Sequence, residues 1–157
     1  MFRTAQDFAT AYRQEGELTL ACLKELTDES LSQAVSEQDR TLGEIAWHIT
    51  ATVGEFASRV VPDYKGLTYG TAQPATAREL AQAYEQEFQS SLQAYEGHIT
   101  DDNLADDVDF FGHPTPKNAF LFSFITHQVH HRGQMTVLMR QAELHVPPIY
   151  GPSRDSE

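Results

Sequence analysis

Residues 115–144 read TPKNAFLFSFITHQVHHRGQMTVLMRQAEL. The stretch predicts a long helix with Thr115 as its N-cap and Pro116 in the first turn, where a missing N–H costs nothing. No further proline interrupts it before about Leu144, and Pro147-Pro148 close it. Three of the seven histidines crowd one turn: His127, His130 and His131. Residues four apart on a helix sit one above the other. His127 and His131 can therefore aim their imidazoles at one point, as the two ends of His-Glu-x-x-His do in zinc proteases. Gln128 stands where that pattern carries its glutamate, and an amide cannot act as a general base, so protease chemistry is disfavoured. His130 is turned about 60° away on the side opposite His131, which fits a supporting, packing or dimer-interface role. Gln134, three residues after His131, is placed to orient a ligand or bound solvent.

Three further helices carry the spacing of amphipathic segments. The first spans roughly Ala5 to Leu26, with Phe8, Tyr12, Leu18, Cys22 and Leu26 near one stripe and its cap at Thr4 or just before. The segment 27–40 is polar and loop-like. The second helix starts at the capping box Thr41-Leu42-Gly43-Glu44, repeats Leu42, Ile45, Ile49, Thr52, Phe56 and Val60, and stops at Pro62. The third follows the box Thr76-Ala77-Arg78-Glu79, with Leu80, Tyr84, Phe88, Leu92 and Tyr95 as its stripe and Gly97 as a C-terminal cap. Between Ile99 and Pro114 lie Asp101, Asp102, Asp106, Asp107 and Asp109. They lack the alternating aspartates, glycine and closing glutamate of a calcium loop, so a solvated connection is expected. Four helices in 157 residues predict an all-α protein, a four-helix bundle in one domain, with a short loose tail from about Ile149.

A histidine pair alone is a moderate signal, because such pairs also occur on helix surfaces and in hydrogen-bonded cores. His48 strengthens it: it lies mid-way along the second helix beside Ile45, Ile49 and Thr52, on or next to the buried stripe. Bundles build metal sites from inward side chains on facing helices. The candidate ligands are therefore His48, His127 and His131, while His98, His113 and His145 fall at helix ends or in loops. Cys22, the single cysteine, sits on an apolar stripe as a core residue. It excludes an intrachain disulfide and a cysteine-rich zinc site.

The run Ala119–Ile125 is apolar almost all the way round. Either the other helices and a loop wrap it, or a homodimer covers it; the small apolar area that soluble monomers expose favours the homodimer. Lys and Arg number 11 against 23 Asp and Glu, a net charge of −12. That field repels nucleic acid and anionic membrane surfaces. With no secretion-signal pattern and no apolar run of about 20 residues, a cytoplasmic location is expected.

Thr41-Leu42-Gly43-Glu44-Ile45-Ala46-Trp47-His48-Ile49, followed by His127-Gln128-Val129-His130-His131-Arg132-Gly133-Gln134-Met135 and then Leu138-Met139-Arg140 and Pro147-Pro148, resembles the DinB/YfiT-like family of metalloenzymes. The resemblance covers nearly the whole chain. It implies an up-down-down-up four-helix bundle, usually dimeric, with a divalent metal held by one histidine of the second helix and an H-x-x-x-H pair of the fourth. Those positions are His48, His127 and His131 here.

Three imidazoles leave a coordination position open, which marks catalytic rather than structural sites. An open zinc or nickel position either lowers the pKa of bound water toward ~7 or holds a thiol as thiolate. The resemblance implies the latter in some members, transferases or isomerases with a low-molecular-weight thiol as cosubstrate, and hydrolysis in others. The expected activity is thiol-dependent S-transfer or hydrolysis on a small-molecule electrophile; the alternative is a non-catalytic metal- or ligand-binding stress protein. Tyr12, Glu15, Glu55 and Tyr84 are the candidate general bases.

Overall fold

The computed structural model describes residues 1–155. Four helices form the body: α1 (Ala5–Lys24), α2 (Leu42–Val60), α3 (Ala77–His98) and α4 (Lys117–Gln141). α1 packs on α3 and α4, and α2 packs on the same two, so the consecutive helices α1 and α2 lie across a diagonal. The long connection 25–41, with one 3-10 turn at Glu29–Ser32, makes that diagonal crossing.

The starts of the first three helices are written locally. Thr4 with Asp7, Thr41 with Glu44 and Thr76 with Glu79 each form a capping box, hydroxyl to the N3 amide and carboxylate back to the cap amide. Thr4 thus resolves the ambiguous first cap. The helix ends differ from expectation. α3 runs past Gly97 to His98, because Asn103 Nδ2 donates to the His98 carbonyl and ends the helix there. α4 stops at Gln141 rather than about Leu144. Glu143 adopts a left-handed φ of 60°, Leu144 N–H returns to the Met139 carbonyl and Glu143 N–H to that of Arg140, a Schellman ending with glutamate in the usual glycine position.

The acidic segment expected to be a solvated loop instead contains an antiparallel hairpin, β1 (Asp107–Phe110) and β2 (His113–Pro116), paired Asp107 to Pro116 and Phe110 to His113. Phe111 and Gly112 turn it with φ of 53° and 83°, the two positive values that a two-residue hairpin turn requires. Asp109 Oδ1 accepts the Gly112 N–H at 2.7 Å. Thr115 therefore belongs to a strand and Pro116 is itself the N-cap of α4. No hydroxyl caps α4; its first amides, Lys117 and Asn118, donate to the carbonyls of Asp106 and Leu104.

Aromatic rings fill the α1–α3–α4 interior. Tyr12 stacks on Phe8 and meets Phe88, Tyr95 and Phe124 at centroid distances of 5.2–5.5 Å. Leu18, assigned to the α1 stripe, is only half-buried; Gly16, Thr19 and Leu23 face inward instead. Within the apolar run of α4, Phe120, Leu121, Phe124 and Ile125 are buried by the chain itself, while Phe122 is 45% exposed beside Phe2. From Ile149 on, where a loose tail is expected, the described residues lie against α4: Tyr150 sits under Arg132 and Asp155 pairs with Arg140 at 2.6 Å. Residues 156 and 157 lie outside the described residues. No helix among them is long and apolar enough to cross a membrane.

The connection 61–76 lies tightly on α2 and α3. Glu87, 9% exposed on α3, accepts from Tyr64 Oη at 2.8 Å and Leu67 N–H at 3.2 Å. Trp47 Nε1 donates to the Thr71 carbonyl at 2.9 Å. A Cβ on Gly54 would stand 2.2 Å from the Leu67 carbonyl oxygen, so only glycine lets the segment seat. Gly54→Ala should lower stability in urea by about 1–3 kcal/mol and red-shift the emission of Trp47, the one tryptophan. An unchanged midpoint with unchanged emission would contradict this seating.

Candidate metal centre

After the buried Lys117 at its start, the inward face of α4 is apolar on both sides of a polar middle. Phe120, Leu121, Phe124 and Ile125 precede Gln128, His131 and Arg132; Met135, Leu138 and Met139 follow. His48 comes in from the adjacent α2. Its Nε2 lies 3.2 Å from His127 Nε2, which is also 3.2 Å from His131 Nε2. These three form the one group of three or more potential His, Cys, Asp or Glu ligands among the described residues, with ligand atoms within 4.8 Å of one another. All three predicted residues thus converge.

The imidazoles are packed from several sides. Phe56 lies over His127 at 6.1 Å, and Tyr69 stacks on His48 at 5.7 Å with 14° between planes. The Tyr69 N–H donates to Glu55 Oε1 at 3.0 Å, fixing the middle of the 61–76 segment over the site. His131 Nδ1 lies 2.7 Å from Gln134 Oε1. An amide oxygen only accepts, so Nδ1 carries the proton and Nε2 presents its lone pair inward. Gln128 Nε2 donates to the Ile49 carbonyl at 3.2 Å, tying α4 to α2 between the histidines. His130 is exposed, its ring 4.9 Å from that of His131.

Protonation is disfavoured throughout the cluster. Burial, then the neighbouring imidazoles and Arg40, push His48 and His127 down to about 4. Burial also lowers His131, against the opposing pull of Gln134. Neutral imidazole is the ligating form. A proton on His127 Nε2 could serve only one of its two neighbours, so hydrogen bonding alone leaves lone pairs facing one another. Two bonds of ~2.0–2.1 Å at the tetrahedral angle put donor nitrogens about 3.3 Å apart, close to the spacing observed. The residues present fit a divalent cation.

A cleft of about 530 Å³ leads to His131 and Gln134 between Val35, Asp39, Arg40, Ile45, Val137 and Leu138. A slightly larger polar cleft of about 600 Å³ around Ser30, Gln33 and Thr41 holds no imidazole, so the chemistry belongs to the smaller one.

Residue by residue, the candidate bases separate. Tyr12 shares a hydrogen with Ser91 Oγ at 2.6 Å inside the core. Burial raises the phenols of Tyr12 and Tyr84 well above their usual range, which keeps both protonated. Glu15 is committed to Arg132, and Glu55 holds Tyr69. Cys22 is fully buried, its thiol pushed up to about 11 by burial, in keeping with a core role. His98, His113 and His145 are exposed, away from the cluster.

The family model of the DinB family matches residues 1–156. The chain belongs to the DinB family. Similar to it is the Bacillus subtilis protein YrdA, 40% identical over 155 residues that span 99% of this chain and 93% of that one. A DinB-like protein from Bacillus cereus, solved by crystallography, is 39% identical with a TM-score of 0.86 over 96% of this chain and 100% of its own. The DinB-like protein YjoA of Bacillus subtilis, 17% identical over 92% of this chain and 96% of its own, shares the fold with a TM-score of 0.75. A DinB three-histidine cluster of this geometry could bind a divalent metal.

Sequence reading passed over Glu87 and, although Arg132 stands in the quoted motif, gave Arg132 no role. Arg132 is 1% exposed. It donates to the Glu15 carbonyl at 3.0 Å, to Thr19 Oγ1 at 3.1 Å, and to the Glu15 carboxylate and the Tyr150 hydroxyl. The signal available was its place on the buried face one step from His131. Arg132→Ala would leave the part-buried Glu15 carboxylate with the Tyr150 hydroxyl as its remaining partner and open a void in the core, and is expected to destabilise the fold by about 3 kcal/mol in urea. A loss below about 1 kcal/mol would contradict the buried pair.

The depressed imidazoles also set a pH dependence. Their folded pKa lies below the usual ~6.5, so the stability they contribute is full above ~6.5 and is lost as pH falls toward about 4. Metal-free protein should lose urea resistance across that window, with a shallower slope in His48→Gln. Identical slopes for the two would count against the desolvated cluster.

Proposed function

We propose that this DinB protein is a metal-dependent enzyme in which His48, His127 and His131 hold one divalent ion, zinc or nickel, and that its reaction is transfer of a low-molecular-weight thiol to a small electrophile. The observation that carries this reading is the convergence of three neutral imidazoles, 3.2 Å apart in sequence from His48 to His127 to His131, at the end of an open cleft. A divalent ion bound there supplies a Lewis-acidic centre with an open position that favours the thiolate over the thiol at neutral pH.

The protein's own part is positioning and exclusion. Gln134 fixes the tautomer and orientation of His131. Tyr69 and Phe56 cover His48 and His127 and limit water on that side. Val35, Val137 and Leu138 give the cleft apolar walls suited to the carbon skeleton of a bound reactant. The sulfur–carbon bond forms as the electrophile's leaving group departs with its electron pair, and the thiol proton passes to solvent.

Zinc- or nickel-loaded protein should conjugate monochlorobimane with glutathione, bacillithiol or mycothiol. His131→Ala should lose the reaction, and Gln134→Ala should fall by roughly 10–100-fold. Elemental analysis should find about one ion per chain, lost in His48→Ala. Turnover no greater than that of His131→Ala with every thiol would overturn the transferase reading; metal content unchanged in His48→Ala would remove His48 from the site.

A further inference from the structure

Arg40 stands at the mouth of the same cleft, in the last residue before the cap of α2. It is exposed and makes no hydrogen bond or ion pair among the described residues. It is the one Lys or Arg among the residues that line this cleft. Asp39, the acid beside it, accepts the Ser36 hydroxyl at 2.7 Å instead. On either side of Arg40 the wall is apolar, with Val35 66% and Val137 54% exposed, and the floor is His131 with Gln134. Arg40 and His131 line the same cleft, so the guanidinium and the histidine centre border one space.

We propose that Arg40 selects the thiol: the cosubstrate is a small thiol carrying a carboxylate, which pairs with the Arg40 guanidinium while the carbon chain lies along Val35 and Val137 and the sulfur reaches the histidine centre. This rests on the thiol-transfer reading above and adds to it a specificity-determining residue and a charge for the ligand. A guanidinium matches a carboxylate through two parallel hydrogen bonds. Because the pair is near solvent, it contributes a preference of modest size that salt weakens.

The test uses cobalt(II)-loaded protein and two thiols of similar length, 3-mercaptopropionate and the neutral 3-mercapto-1-propanol. Binding is read twice, by the near-ultraviolet thiolate-to-cobalt band and by the rise in melting temperature. The wild type is expected to bind the carboxylate thiol about five- to tenfold more tightly, a tenfold ratio being about 1.4 kcal/mol. Arg40→Gln should erase that ratio by weakening the carboxylate thiol alone, Arg40→Lys should keep part of it, and added salt should shrink it in the wild type. Equal affinities in the wild type, or a preference that survives in Arg40→Gln at full cobalt content, would overturn the assignment of Arg40. Absence of the thiolate band with both thiols, on protein that holds cobalt, would overturn the thiol reading instead. The melting-temperature arm still decides Arg40 in that case, since it needs no sulfur–metal bond.

Discussion

Shutting a guanidinium inside a bundle costs several kcal/mol unless its donors are met, and α4 can be buried through its middle only because α1 meets those of Arg132. The contact fixes more than stability. Successive residues on a helix point about 100° apart. Holding Arg132 against Glu15 and Thr19 of α1 therefore sets the rotation of α4, and His131, one residue earlier, turns toward α2 on the other flank. Gln128 anchors that second flank to the Ile49 carbonyl. The aim of the imidazoles follows from two polar ties, one to each neighbouring helix.

A second constraint acts from α3. Glu87 never approaches the histidines, yet it holds Tyr64 and Leu67 and so seats the segment that carries Tyr69 over His48. Gly54 and Gly66 make room for this, with Gly66 so close that a Cβ would lie 2.2 Å from Glu87 Oε1. The resulting enclosure is what keeps the imidazoles neutral. Desolvation, the first cause of each lowered pKa, comes from helices and loop together rather than from any one residue.

Much of this was legible from local pattern. The boxes at Thr41 and Thr76 gave two helix starts, because such caps depend on residues three apart. The stripes of α2 and α3 are buried at every position read from them, from Leu42 to Val60 and from Leu80 to Tyr95. The convergence of His127 and His131 follows from helical spacing, and His48 from its inward place on α2. What was not legible depends on partners far along the chain. The Arg132–Glu15 pair joins residues 117 apart, and the Glu87 clamp spans 20 or more. The β1–β2 hairpin escaped because its strands are four residues long and its turn puts Phe111 in a positive-φ position that glycine or asparagine usually signals. α4 began and ended differently because backbone carbonyls and Glu143 took the roles expected of a hydroxyl cap and of further helix.

The histidines come from α2 and α4 alone, whereas Val35, Asp39 and Arg40 lie in the irregular connection between α1 and α2. The cleft therefore joins two pieces of chain, with Ile45, His131, Gln134, Val137 and Leu138 on the helices and Val35, Asp39 and Arg40 on the connection. Residues 34–40 of that connection carry no aromatic ring and no buried side chain, so substitutions there leave the packing of the helices in place. Exposed residues of one cleft wall can thus change while the helices that hold the imidazoles stay as they are, which makes residues 34–40 the natural region to randomise when new ligand preferences are sought by directed evolution.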